Sequence, residues 1–344
     1  MAPAAILCHC RARHDGLGGS RVDGTERVTA GEPVAALAAE MRAALIGHED
    51  LVERLMTALL ARGHVLIEGP PGLAKTRAVK RLASGLDGGF ARVQCTPDLM
   101  PSDLTGTQVF RRQTETFDFV EGPIFHSLVL VDEINRAPPK VQSALLEAMA
   151  EAQVTAGGVT RPLPDPFMVV ATQNSIEHEG TFPLPEAQLD RFLLHVDLAL
   201  PSAAREREIL DLVESEAGEA PAPPAERLSH AALRDARAAV ARVHLAPALR
   251  DFIVRLVVGT RETEGTPIEG LVEHAVSPRG TLALAASARA RALIHGRDHA
   301  LPEDVETLAP DTLAHRLIPS WRATSEGLSA RDIVDRLLGH VRPW

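Results

Sequence analysis

One stretch, Gly69-Pro70-Pro71-Gly72-Leu73-Ala74-Lys75-Thr76, leaves this chain few choices of fold. It follows a short apolar run, Val65-Leu66-Ile67, and precedes apolar residues at helical spacing, Val79, Leu82, Ala83 and Leu86. A strand, a Gly/Pro turn and a Lys-Thr pair opening a helix form the context of a phosphate-binding loop. Its physics is anion capture by turn N–H groups and by the positive end of the following helix. In such a loop Lys75 reaches the β- and γ-phosphates and Thr76 offers its hydroxyl to Mg²⁺. The residue before the lysine is ordinarily Gly and here is Ala74. Alanine takes positive φ only at a cost, so the expectation is an ordinary backbone conformation at Ala74.

What surrounds the loop suggests an α/β layer fold. Strand-like runs alternate with helical ones in the first half, and the second half is nearly all helix-compatible. With 344 residues, 45% of them hydrophobic, there is room for two domains and a substantial core. Aromatics are 3% and Tyr is absent, so Ala, Leu and Val must build that core. Lys plus Arg is 36 and Asp plus Glu is 46, a net charge of −10 that argues against a non-specific nucleic-acid surface. The three cysteines, Cys8, Cys10 and Cys95, give no disulfide framework. The apolar start at Ala4–Leu7 is too short for a signal peptide, and no run approaches the ~18 apolar residues of a membrane span. The expectation is a soluble, cytoplasmic protein. Residues 1–33 are Gly-, Arg- and Ala-rich and read as a disordered tail. Cys8-His9-Cys10 fits no common zinc spacing.

In order, residues 34–62 read as helix, a break at Gly47, then helix. Leu45-Ile46-Gly47-His48 reads either as an apolar seat for an adenine base or as a plain helix–helix joint. Phe90–Cys95 is a second strand. Gln108–Phe110 and Thr116–Val120 form a hairpin, and a second hairpin follows Ala152–Thr155 around Gly157-Gly158. Ser127–Val131 is a buried strand whose end carries Asp132 and Glu133, where an open parallel sheet meets its ligand. There Asp132 suits Mg²⁺ through its water shell, and Glu133 suits polarising an attacking water. Phe167–Gln173 is another buried strand, with Asn174 at its tip as a candidate to orient that water. Arg191 reads as a surface salt-bridge residue or as a guanidinium reaching a neighbour's γ-phosphate. Leu193–Leu200 is a fifth strand. Glu214–Ala225 is a linker, and helices follow at about 229–242, 246–259, 278–295 and 302–316. Arg279 opposes the dipole of the third, which suggests an anionic partner.

Taken together, Gly69–Thr76, Val131-Asp132-Glu133-Ile134-Asn135-Arg136-Ala137, Ala171-Thr172-Gln173-Asn174, Glu179–Phe192 and Ser277-Pro278-Arg279 resemble the MoxR family of AAA+ ATPases. The resemblance runs from about Val34 to about Ile318. It implies an AAA+ αβα P-loop domain with a five-stranded parallel sheet, followed by a small all-helical lid domain. Residues 34–213 would be the nucleotide-binding core, 214–225 the linker and 226–344 the lid, with ATP between core and lid.

The resemblance also implies roles. Lys75 and Thr76 are the Walker A pair, with Gly69, Pro71, Gly72, Leu73, Ala74, Arg77, Ile46 and Gly47 around the nucleotide. Asp132 and Glu133 are Walker B, Glu133 being the catalytic carboxylate, and Thr76 and Asp132 serve Mg²⁺. Asn174 is sensor 1, Arg191 an arginine finger acting in trans, and Arg279 sensor 2. Ser175 stands where the family usually has Pro. The hairpin near 108–120 resembles the helix-2 insert and the one near 151–161 the pre-sensor-1 insert. The implied function is a Mg²⁺-dependent ATPase that forms a homo-oligomeric, hexameric ring and remodels client proteins, often beside a von Willebrand factor A domain partner. A chelatase motor subunit, a DNA-dependent motor and a non-hydrolysing scaffold are the rival readings.

Overall fold

The computed structural model describes residues 24–45, 47–174, 180–216 and 227–343. Its centre is a parallel sheet of five strands, β1 (Val65–Glu68), β2 (Phe90–Gln94), β5 (Leu128–Asp132), β8 (Met168–Gln173) and β9 (Leu194–Asp197), in the order β2-β5-β8-β1-β9. Period-two alternation sorts their side chains to the two faces. Val65, Ile67, Leu128, Leu130, Met168 and Val170 enter one core, whereas Leu66, Val129, Val131, Val169 and Ala171 enter the other. Because both faces are covered, the central strands are continuously apolar.

Helices α1 (Gly24–Ala44), α2 (Glu49–Leu60) and α3 (Lys75–Ser84) precede β2. Short α4 (Pro101–Thr105) leads into the hairpin β3 (Gly106–Arg111) and β4 (Thr116–Glu121). After β5, α5 (Pro139–Glu151) covers the second face, and the hairpin β6 (Gln153–Ala156) and β7 (Val159–Pro162) follows. Then come α6 (Glu186–Leu189) and α7 (Ala203–Glu216). The remainder is α8 (His230–Arg242), α9 (Pro247–Gly259), α10 (Pro278–Ile294), α11 (Pro302–Leu313), α12 (Trp321–Ser325) and α13 (Ala330–His340). This lid region is helical apart from one antiparallel ribbon, β10 (Val272–His274) with β11 (Ile318–Pro319), so it is not all-helical.

One expectation is corrected at the amino end. Residues 24–33 are not part of a disordered tail but lie in α1, despite Gly31 and Pro33. Packing overrides propensity there: Val34, Leu37, Ala38 and Met41 are buried, and an added Cβ on Gly31 would lie 3.6 Å from Leu293 of α10. Residues 1–23, including Cys8-His9-Cys10, lie outside the described residues. At the other boundary α7 runs to Glu216, three residues into the expected linker, and 217–226 lie outside the described residues.

The amino-terminal helices also fix where the lid region sits. Helices α1 and α2 pack on α8 and α10, and all four share the core that lines one face of the sheet. A buried ionic cluster joins the layers. Arg54 of α2 bonds Asp311 of α11 at 2.8 Å and Glu53 at 2.9 Å, while Glu53 meets His295 at 2.6 Å and Arg291 at 3.3 Å. Asp304 is fully buried between Arg291 at 2.6 Å and Arg297 at 2.7 Å. Burial pushes the Glu53 and Asp304 carboxyls up, but hydrogen bonds and these cations win and leave both below their ordinary values.

Candidate nucleotide site

The strands end together, because the register sets Gln94 beside Asp132 and Glu68 beside Gln173. Just beyond these ends the loop of residues 69–74 turns into α3. Gly69 has φ 152° and backs directly onto Leu198, where a Cβ would sit 2.8 Å from the carbonyl oxygen. Ala74 is left-handed, at φ 53° and ψ 17°. The expectation of an ordinary conformation was therefore wrong. Closure of the loop dictates the geometry, and the alanine absorbs about 1–2 kcal/mol of steric cost.

Ala74 is the N-cap of α3 and makes no side-chain cap, so the first-turn N–H groups face outward. Lys75 folds back into the loop, donating to Gly69 O at 2.6 Å and Gln173 O at 3.1 Å. Burial lowers its pKa, against the opposing pull of Asp132, Glu133 and Glu68. Thr76 Oγ1 lies 3.5 Å from Asp132 Oδ2. Asp132 is buried and accepts from Thr172 Oγ1 at 3.0 Å and Arg92 Nε at 2.7 Å. Glu133 is also left-handed, at φ 57°, and its N–H donates to Thr172 Oγ1 at 3.0 Å. That conformation turns its carboxylate away from the strand direction, into reach of Gln94 Nε2 at 3.0 Å and Arg136 Nε at 3.3 Å.

These groups surround one cavity of about 410 Å³, lined by Pro71–Arg77, Arg92, Gln94, Asp132, Glu133, Thr172 and Asn174. A second cavity of about 300 Å³ shares Pro71, Gly72, Leu73, Ala74 and Arg77 with it, and adds Ala44, Leu45, His48, Leu200, Pro201, Glu206 and Ile209. The first is charged and suits phosphates; the second is largely apolar and suits a base. Gly47 lies at the same joint with φ 82°, whereas Ile46 lies outside the described residues. The donor set fits the cofactors that the loop implies. The turn, Lys75, Arg77 and the end of α3 suit a polyphosphate, and a hydroxyl with a carboxylate suits a hard, oxygen-loving cation.

Two expected residues are elsewhere. Arg191 is exposed, lines neither cavity, and donates to Leu146 O of its own α5. Arg279 is 69% exposed and pairs with Asp190 at 3.3 Å. Among the described residues none beyond Ile209 lines either cavity, so neither cavity lies between core and lid, where ATP was expected. The lid region is committed instead to α1 and α2. Sequence reasoning missed Arg92 and Gln94. Their signal was present: they alternate with buried Val93 on β2, which puts them on the Asp132 side of the sheet.

Comparison with known proteins agrees with this architecture. Residues 64–194 match the family model of the ATPase family associated with various cellular activities (AAA), and residues 266–337 match an AAA lid domain. The chain is 44% identical over 305 residues to Chaperone MoxR1 of Mycobacterium tuberculosis, covering 88% of this chain and 80% of that protein. It is 34% identical to Protein MoxR of Methylorubrum extorquens, covering 81% of this chain and 85% of that one. A solved structure from Cytophaga hutchinsonii, described as a candidate ATPase, superposes with a TM-score of 0.85 at 37% identity, over 92% of this chain and 97% of that one. On these matches, with the phosphate-binding loop and the acidic strand end meeting at one cavity, the chain belongs to the MoxR family of AAA+ ATPases.

Proposed function

We propose that the chain hydrolyses ATP to ADP and phosphate, with the triphosphate over Lys75 and Thr76 and the adenine in the adjoining apolar cavity. One observation carries this reading: Lys75, Thr76, Asp132, Glu133 and Asn174 line a single cavity beside a preformed anion cradle. Mg²⁺, when bound, would neutralise phosphate charge, and Thr76 and Asp132 are the residues to hold it. Lys75 stabilises the β- and γ-phosphates. Glu133 accepts a proton from the attacking water and Asn174 orients it. To act at the metal site Asp132 must release Arg92, a cation positioned to move onto phosphate instead.

Among the described residues neither Arg191 nor Arg279 lines this cavity or the apolar one beside it. Both residues stand outside their own site, Arg279 paired with Asp190 and Arg191 next to it in sequence, which supports a role toward a neighbour. We therefore assign the working form to a homo-oligomeric ring, taken as a hexamer, in which Arg191 acts in trans and Arg279 stands on the same face. Residues 34–213 are assigned to the core and 226–344 to the lid, in a cytoplasmic protein. No helix among the described residues is long and apolar enough to cross a membrane.

The output is assigned as chaperone-like remodelling of a client protein, in keeping with the relative named a chaperone. The β3–β4 hairpin presents Val109, Phe110, Phe117 and Val120 to solvent, a surface for apolar polypeptide. Its cations are Arg112 and Arg111, the latter paired with Asp118 at 2.8 Å, and the second hairpin offers Arg161, 3.7 Å over the Phe119 ring, which is little charge for a nucleic acid. A von Willebrand factor A domain protein is the proposed partner class. Glu133→Gln should bind ATP and turn it over at least ~10²-fold more slowly. Normal turnover would remove Glu133 from the mechanism. Arg191→Ala should lose about 10³-fold in the assembled state, and parental turnover there would end the finger assignment.

A further inference from the structure

Residue Arg316, in the turn after α11, reaches out of the lid region to the segment that carries Arg191. Its side chain is 4% exposed. Nε donates to Asp190 Oδ1 at 2.8 Å, Nη2 to Phe192 O at 2.7 Å and to Asp190 O at 3.4 Å, and Nη1 to Leu193 O at 3.3 Å. Nη1 also donates to Thr312 O of its own helix, which anchors the guanidinium to α11. The residues on both sides of Arg191 are thus held by one planar group. Phe192, fully buried in the second core, pins the segment from below, and His315 Nε2 lies 3.1 Å from Phe192 O. Arg279, from the start of α10, bonds the other oxygen of Asp190 at 3.3 Å. Arg191 itself stays exposed in the middle of this clamp.

We propose that Arg316 is a positioning residue: it fixes the Asp190–Leu193 segment so that Arg191 projects at the reach required by the adjoining protomer's triphosphate. This rests on the reading that Arg191 acts in trans. The physical reason is geometric. A charge-stabilising group works only if preorganised, and a displacement of about 1 Å can lower a rate by ~10²-fold. Only arginine supplies several donors in one rigid plane, so a lysine cannot hold the Asp190 carboxylate and the Phe192 carbonyl together. The clamp also makes the position of α11, within the lid region, part of the geometry offered to the next site.

The test uses the full-length protein in mixed assemblies. Arg316→Gln keeps its own nucleotide cavity and offers a misplaced finger; Glu133→Gln has a dead cavity and offers a good one. Alone, Arg316→Gln should lose about 10- to 100-fold in kcat with little change in the KM for ATP. Mixed with excess Glu133→Gln, its turnover per active site should rise severalfold, because sound fingers now serve its cavities. A residue that merely supports its own subunit's fold gives only dilution on mixing. Arg316→Lys should not rescue the rate. Asp190→Asn, which keeps the segment's shape, covers the case in which Arg316→Gln fails to assemble, and should behave the same way. Arg191→Ala mixed with Glu133→Gln is the control for the trans reading. If that control recovers while the Arg316 and Asp190 variants only dilute, the positioning role is overturned and the trans finger stands. If the control does not recover, the trans reading fails and the Arg316 proposal falls with it.

Discussion

Replacing Ala74 by glycine should make the protein more stable, the reverse of the usual effect of opening a helix with glycine. Ala74 has φ 53°, in the left-handed region. There an L-residue bears about 1–2 kcal/mol that glycine does not. Glycine gains freedom in the unfolded chain, which offsets about 0.4–1 kcal/mol of this. The methyl group borders both cavities and is only half-buried, so little packing is lost. The net expectation is a gain of about 0.5–1 kcal/mol. Urea unfolding without nucleotide measures it, as a higher midpoint at unchanged slope. Ala74→Val should go the other way by at least about 1 kcal/mol, since a β-branched residue tolerates positive φ poorly. A looser loop must be ordered on binding, so ATP affinity of Ala74→Gly should fall, by about fivefold at most. If Ala74→Gly lowers the midpoint, the loop is not held left-handed at that residue and the reasoning is refuted.

Three further outcomes follow from buried groups. His64 is buried, its Nδ1 accepting from Val169 N–H at 3.0 Å, and burial lowers its pKa to about 4. The unfolded chain takes up that proton from about pH 6.5 downward and the native state does not, so stability should fall between pH 6.5 and 4, by about 3 kcal/mol for this residue. His315, lowered by burial and Arg316, adds to the slope, so His64→Gln should flatten it in part; an unchanged slope would clear His64 of the effect. Glu53→Gln should destabilise by about 3 kcal/mol in urea unfolding, because Arg54 and Arg291 stay buried beside a neutral amide; under about 1 kcal/mol would mean the cluster is already solvated. Cys95 is buried and its thiol is pushed up to about 12, so iodoacetamide at pH 8 should label it only after unfolding, as followed by peptide mass spectrometry.

The parts of the fold legible in the sequence are those fixed by local pattern. Strands β1, β5 and β8 carry apolar runs, β2 and β9 alternate apolar with polar residues, and the loop between β1 and α3 announces itself by Gly and Pro. Ser277 caps α10 by accepting from Arg279 N–H, with Pro278 next, as the spacing predicts. What escaped was set by distant partners. The tilt of Ala74 comes from loop closure, the helix over residues 24–33 from packing, and the Arg92–Asp132 pair from strand register. The seat of the lid region on α1 and α2 depends on a buried ionic cluster spread over some 250 residues, which no local window can read. Helix α13 is a plain oversight: Ser329 and Asp332 form a capping box visible in the sequence.

The separation of the two charge sets explains why a single chain is a poor hydrolase on this reading. Phosphoryl transfer needs cations on the transferred group from more than one side. Lys75 and Arg92 approach from the loop and the neighbouring strand, whereas Arg191, Arg279 and Arg316 gather at Asp190, outside both cavities. Arg191 and Arg279 stay exposed beside Asp190, whereas Lys75, Arg77 and Arg92 outnumber Asp132 and Glu133 around the cavity, which turns negative only when ATP binds. With ATP bound, opposite charges on the two faces would favour head-to-tail contact between copies, the heterologous geometry that closes into rings. Bound nucleotide strengthens that contact by adding phosphate charge where the neighbour's arginines arrive. Assembly should therefore tighten with ATP and loosen with salt, and sedimentation across 50–500 mM NaCl, about a threefold change in Debye length, separates this from apolar association, which salt would leave intact.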